Sequence, residues 1–119
     1  MISTRFHGMT DYLLGFILIV LPFILNFPDG AATILPIVLG AGTIVYSLMT
    51  DYEMGVAKVL SMKTHLDIDL LAGALLVVSP WLFGFADQVM WPSIILGIVE
   101  IGASLMTEKT PSYAKAQHH

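Results

Sequence analysis

Charge is scarce in this chain. Of its 119 residues, 12% are Asp, Glu, Lys or Arg, roughly half the share carried by a typical soluble domain. With 56% hydrophobic residues, a soluble fold would have to expose apolar side chains over its surface, which invites aggregation. The five basic residues are outnumbered by nine acidic ones, leaving a net charge of −4. No basic patch or aromatic–basic interleaving is present, so nucleic acid is not expected as a partner. Cysteine is absent, which excludes disulfides, thiolate metal sites and a cysteine nucleophile. A phosphate-binding G-x-x-x-x-G-K, a nucleophile elbow and H-E-x-x-H are missing as well. Nothing in the sequence supports an enzyme, and no cofactor is expected from its motifs.

What the chain does have is long apolar runs. Four stand out: Tyr12–Phe27, Ala31–Thr50, Leu70–Ala86 and Val89–Met106. Each approaches the roughly 17–25 residues that cross about 30 Å of hydrocarbon. The first and third reach that length only if their polar starts, from His7 and His65, are helical. No small-x-small cleavage pattern follows the first run, which therefore reads as a retained helix and not a signal peptide. Pro28-Asp29-Gly30 and Ala86-Asp87-Gln88 break the chain as tight turns. Pro36 and Pro92 sit early in their helices, where a missing N–H costs least. In the polar connection, Val56, Val59 and Leu60 fall at helical spacing beside Lys58 and Lys63, suggesting a short helix on the membrane surface. The resulting organisation is a two-helix unit over 1–51, a connection over 52–64, a second unit over 65–108 and a tail over 109–119. His118 and His119 have the look of a truncated affinity tag and carry no functional argument.

The expected fold is an all-α bundle of four transmembrane helices in two hairpins. Arg5, Lys58, Lys63, Lys109 and Lys115 all fall on one side of it, and neither short turn has a Lys or Arg. The positive-inside rule then puts both termini in the cytoplasm. Trp81 and Trp91 flank the opposite interface, while Tyr12, Tyr46 and Tyr52 lie near the cytoplasmic one, as in aromatic belts.

The two units repeat one another. His7, Asp11, Gly15, Pro22, Phe27 and Asp29 match His65, Asp69, Gly73, Pro80, Phe85 and Asp87 at constant spacing. After the turn the register slips by one residue. Gly40, Ser47-Leu48-Met49-Thr50 and Asp51 then match Gly97, Ser104-Leu105-Met106-Thr107 and Glu108. Each unit has two spans, so the repeats run parallel about a pseudo-two-fold axis along the membrane normal.

The segment Leu75-Leu76-Val77-Val78-Ser79-Pro80-Trp81-Leu82-Phe83-Gly84-Phe85, preceded by His65 and Asp69 and followed by Trp91, resembles the SPW repeat of small bacterial membrane proteins. In the first unit Leu21-Pro22-Phe23 stands where Ser-Pro-Trp would be, so that copy is degenerate. The resemblance implies two membrane helices per repeat and a bacterial inner-membrane location. It implies no reaction, because the family has no established biochemical activity.

Three sets of residues rise above the scaffold. His7/Asp11 and His65/Asp69 are each spaced i, i+4, so both side chains of a pair share one helix face. Brought together by the pseudo-axis, they would make a workable donor set for a divalent metal or a proton relay. The plainer reading is acids favoured near helix N-termini by the helix dipole, with Thr64 and Asp67 as a cap. Glu100 lies inside the fourth span, where a carboxylate is expensive and functional by default. Ser104 is one turn away as a hydrogen-bond partner, and Thr43 and Ser47 are the corresponding pair in the first unit. Glu100 reads either as a protonated acid bonded to a neighbouring helix or as an ion-handling group. Third, Pro80 frees the carbonyl of Leu76, Ser79 can satisfy it, and Trp81 can anchor at the interface. A pocket lined by Trp81, Phe85 and Trp91 is the functional alternative there. Small residues, among them Gly15, Gly40, Gly73 and Gly97, point to close helix packing.

The expected role is a structural or accessory subunit, in contact with the lipid bilayer and with itself or a larger membrane complex. The alternative is a small ion- or proton-handling component using Glu100 with the His/Asp pairs.

Overall fold

Two serines at equivalent repeat positions begin the fold. The backbones of Ser3 and Ser61 are extended, and each hydroxyl accepts the N–H three residues on, from Phe6 and Thr64, at 3.1 Å. This N-cap satisfies a donor that a helix start leaves open. The capping expected of Thr64 and Asp67 thus belongs to Ser61. Replacing Ser3 or Ser61 by Ala is expected to cost about 1 kcal/mol, measured by equilibrium unfolding in bicelles.

The structure, a computed structural model, describes residues 1–111; Lys115, His118 and His119 lie outside the described residues. It is all-helical, with α1 (Thr4–Ile24), α2 (Ala31–Leu48), α3 (Met62–Leu82) and α4 (Trp91–Met106). The first three are long and apolar enough to cross a membrane, and α4, at 16 residues, is a shorter apolar helix. The polar starts at His7 and His65 are helical, which brings α1 and α3 to 21 residues each.

α1 and α3 also stop alike. Leu25 and Phe83 donate to the carbonyls of Leu21 and Ser79 at 2.9 Å, after which Asn26 and Gly84 take φ of 53° and 76°. A left-handed residue is a common helix terminator, and Asn and Gly adopt it most readily.

At the end of the bundle that carries the N-terminus, two short bridges close a floor. Ile2 pairs with Thr107, and at the equivalent repeat positions Leu60 pairs with Thr50. The surface helix expected in the connection does not form. Its N–H groups bond back onto the last turn of α2 instead: Val56 and Ala57 to Leu48, Val59 and Leu60 to Met49. Lys58 sits there at a φ of 52°, outside helical geometry. Val56 and Val59 are exposed.

The side chains are distributed inside out. Large apolar residues such as Phe16, Ile34, Val45, Leu71, Ile98 and Leu105 point outward. The buried stripe of α2 runs Ala32, Pro36, Gly40, Thr43 and Ser47, and that of α4 runs Ser93, Gly97, Glu100 and Ser104. A water-soluble bundle reverses this pattern. Lipid gives apolar side chains no reason to hide, so close packing and polar contacts join the helices. α1 packs mainly on α2 and α3 on α4. Between the hairpins, Leu14, Leu18 and Leu76 form a small apolar core, with Leu39 and Leu96 against it.

Candidate functional site

Asp11 and Asp69 lie two turns into α1 and α3, too deep to be read as helix-end acids, because the dipole's effect fades within the first turn. Each shares a buried stripe with the histidine four residues earlier. The pseudo-two-fold axis brings the stripes face to face. His7 Nε2 lies 2.6 Å from Asp69 Oδ2 and 3.1 Å from Asp11 Oδ2; His65 Nε2 lies 2.6 Å from Asp11 Oδ2 and 3.1 Å from Asp69 Oδ2. The result is a four-atom ring of alternating nitrogen and oxygen, with its shorter edges between the repeats. The imidazoles meet edge to face at 5.5 Å. All four side chains are sealed, at 0–1% exposure.

The outer atoms of the ring are held as well. His65 Nδ1 is 2.8 Å from Thr50 Oγ1, and His7 Nδ1 is 2.8 Å from Thr107 Oγ1. Each threonine donates its one proton to the carbonyl four residues back, Thr50 to Tyr46 at 2.7 Å and Thr107 to Ala103 at 2.6 Å. The hydroxyls must therefore accept at the imidazoles, which fixes a proton on both Nδ1 atoms and turns both Nε2 atoms to the ring. Tyr46 donates to Asp69 Oδ1, leaving Oδ2 for the centre.

Sequence reasoning gave Thr50 and Thr107 no role at this centre and read Tyr46 as an interfacial residue. The repeated Ser-Leu-Met-Thr held the signal for Thr50 and Thr107, since both threonines end their helices at one repeat position. Tyr46 had no such signal, because its counterpart is Ala103. Nor are Tyr46 and Tyr52 belt residues. Tyr52 is fully buried, 5.4 Å from the His65 ring between centroids, and burial pushes its phenol above its ordinary pKa. Tyr12 donates to the Met54 carbonyl at 2.8 Å.

Glu100 faces the same centre. Its nearest acidic neighbours are Asp69 and Asp11. The expected bond to Ser104 is not made: Glu100 Oε1, Ser104 Oγ and Ser47 Oγ find no hydrogen-bond partner among the described residues. Thr43 donates to the Leu39 carbonyl at 2.8 Å and not to Ser47. Asp11 Oδ1, the counterpart of the oxygen that Tyr46 holds on Asp69, is unpartnered too. With both imidazoles protonated and three carboxylates ionised, one net negative charge would remain. A shared proton or a bound cation removes it.

The Ser79-Pro80-Trp81 motif lies away from this centre, at the turn end of the bundle. Ser79 Oγ donates to the Leu76 carbonyl at 2.8 Å, the acceptor that Pro80 leaves free. A shallow depression of about 200 Å³ is lined by Pro80, Trp81, Gly84, Ala86 and Asp87. Of the three residues expected to line a pocket there, Trp81 lines this depression, whereas Phe85 is buried and Trp91 is not among its lining residues.

The sequence model of the SPW repeat domain matches residues 5–107, from the first turn of α1 to the threonine that closes α4. No curated protein and no solved structure matches the chain.

Proposed function

This chain belongs to the SPW repeat domain family, and we propose that it is a structural or accessory subunit of the bacterial inner membrane. In this reading it packs against further copies of itself or a larger membrane complex, and the His/Asp ring clasps its two hairpins. The observation that supports it is the pairing of a sealed polar interior with an apolar exterior. The ring residues are 0–1% exposed, while both α2 and α4 present large apolar side chains outward. A solute has no open route to the ring among the described residues. Arg5, Lys58, Lys63 and Lys109 all fall at the end that holds the N-terminus and the central connection, and the proposal places that end in the cytoplasm. The test is native mass spectrometry of chain extracted in a mild detergent. A defined multimer or a stoichiometric complex is expected; a lone monomer in every mild detergent and in lipid nanodiscs would sink the reading.

A second reading, ion or proton handling, draws on Glu100 and its unpartnered oxygen beside the ring. Glu100→Gln keeps the shape and removes the ionisable group. For an accessory subunit, this variant is expected to assemble like the wild type. Proton flux in proteoliposomes that the wild type supports and Glu100→Gln loses would establish the second reading instead.

A further inference from the structure

The arrangement around the ring is more specific than a clasp requires. A clasp needs opposite charges in contact. It does not need both imidazoles set in the same tautomer by threonines at matching repeat positions, or a tyrosine occupying the outer oxygen of one aspartate. Those are the outer contacts that orient metal ligands: a histidine donates its far N–H to an acceptor, and a ligating carboxylate is itself hydrogen-bonded.

We infer that His7, Asp11, His65 and Asp69 form a binding site for a divalent first-row transition-metal ion, with zinc(II) the first occupant to test. Four donor atoms, one from each side chain, lie within 4.8 Å of one another and are buried. Two imidazole nitrogens and two carboxylate oxygens suit zinc, which takes four protein ligands in closed sites. The charges support it as well, since a divalent ion, two carboxylates and two neutral imidazoles sum to zero among side chains that are 0–1% exposed. In the ring, each Nε2 carries the proton that bridges it to a carboxylate. The ion displaces those two protons, which are released to solvent, while each Nδ1 keeps its proton and donates it to its threonine.

A second, independent observation comes from outside the four donors. Glu100 is 4% exposed and Asp11 1%, yet Glu100 Oε1 and Asp11 Oδ1 lack hydrogen-bond partners. Both lie at this centre. A buried carboxylate oxygen without a donor is costly, and a cation at the ring compensates both. Glu100 stands outside the four clustered donors, and because those four balance a divalent ion, it is not required as a ligand. The central elements of the site come from both repeats, so the ion would staple one hairpin to the other.

The inference does not depend on the accessory reading, and the experiment separates them. The full chain carrying His118→Ala and His119→Ala, which removes competing terminal imidazoles, is purified in detergent, stripped with EDTA and loaded with zinc. Metal content is read by inductively coupled plasma mass spectrometry, and cobalt(II) replaces zinc for visible absorption. About one ion per chain is expected, with the intense cobalt bands of four- or five-coordination. Because His7→Gln/His65→Gln removes the contacts between the hairpins together with the ligands, the deciding variant is Thr50→Val/Thr107→Val. It keeps all four ligands and is expected to bind roughly 10–100-fold more weakly while remaining helical by circular dichroism. A wild-type chain that is helical and of normal native mass but takes up no stoichiometric ion overturns the inference. So does binding that the threonine variant leaves unchanged. Metal in a monomeric chain would sink the accessory reading alone; a metal-free assembled complex would sink only the metal centre.

Discussion

Asp69→Leu is expected to destabilise the protein by about 3–5 kcal/mol, the range for removing one partner from a buried ionic network. Asp69 Oδ2 is the shared neighbour of both imidazoles, at 2.6 Å from His7 and 3.1 Å from His65. Its Oδ1 is the acceptor of the Tyr46 hydroxyl. One substitution therefore strands two imidazoles on a single carboxylate and leaves a phenol without an acceptor. Replacing His7, Asp11, His65 and Asp69 together by apolar residues of similar volume should behave differently. Such exchanges of a whole buried network are often neutral, or stabilising by about 1–4 kcal/mol. Reversible unfolding in bicelles measures both. If the fourfold variant is as unstable as Asp69→Leu, the ring is needed for the fold itself. If it is stable, the ring is held for what it does, and the loss should then appear in metal uptake or assembly.

Gly40→Ala and Gly97→Ala are expected to open their hairpins, with a loss of about 1–3 kcal/mol each, typical of overpacking. A methyl at Gly40 would stand 2.5 Å from the Gly15 carbonyl oxygen, and one at Gly97 would stand 2.6 Å from that of Gly73. The obstacle is backbone, so no rotamer change relieves it and the helices must separate. Bulkier residues at Gly15, Gly40, Gly73 or Gly97 should be worse. Gly42 and Gly102 are the internal controls: a Cβ there meets nothing within 4 Å. Alanine at either should be neutral, or favourable by up to about 1 kcal/mol through helix propensity. Distance measurements between spin labels on α1 and α2, taken with unfolding curves, would distinguish a separated hairpin from a merely weakened one. Equal effects at Gly40 and Gly42 would contradict the packing described.

Much of the fold was legible because two signals in the chain are strong. Long apolar runs broken by Pro-Asp-Gly and Ala-Asp-Gln mark helices and turns without reference to neighbours. The repeat then ties one half to the other, and the structure extends it to positions the sequence reading did not single out, Ser3 with Ser61 and Asn26 with Gly84. The connection was misread for a local reason. Val56, Val59 and Leu60 have helical spacing, but spacing does not reveal that the preceding helix leaves open carbonyls at Leu48 and Met49, and the connection's amides bond there. Tyr46 was misplaced for a similar reason. Near a span end, a tyrosine reads as an interfacial anchor, and only the facing helix shows that an aspartate accepts its proton.

The sequence by itself determined the class of solvent, the number of helices and their repeat, and the pairing of each His with an Asp on one helix face. These follow from hydropathy and from the 3.6-residue turn, which are properties of a chain segment alone. The tertiary structure decided which partner each group takes. His7 draws closer to Asp69 than to its own Asp11, and His65 closer to Asp11 than to its own Asp69. Thr50 and Thr107 set the tautomers, and Glu100 turns toward the ring and not to Ser104. The physical reason is that helix periodicity fixes the direction of a side chain but not what it meets. Contact across the pseudo-axis depends on how closely two hairpins approach, and Gly15, Gly40, Gly73 and Gly97 set that approach within each hairpin before the two halves join.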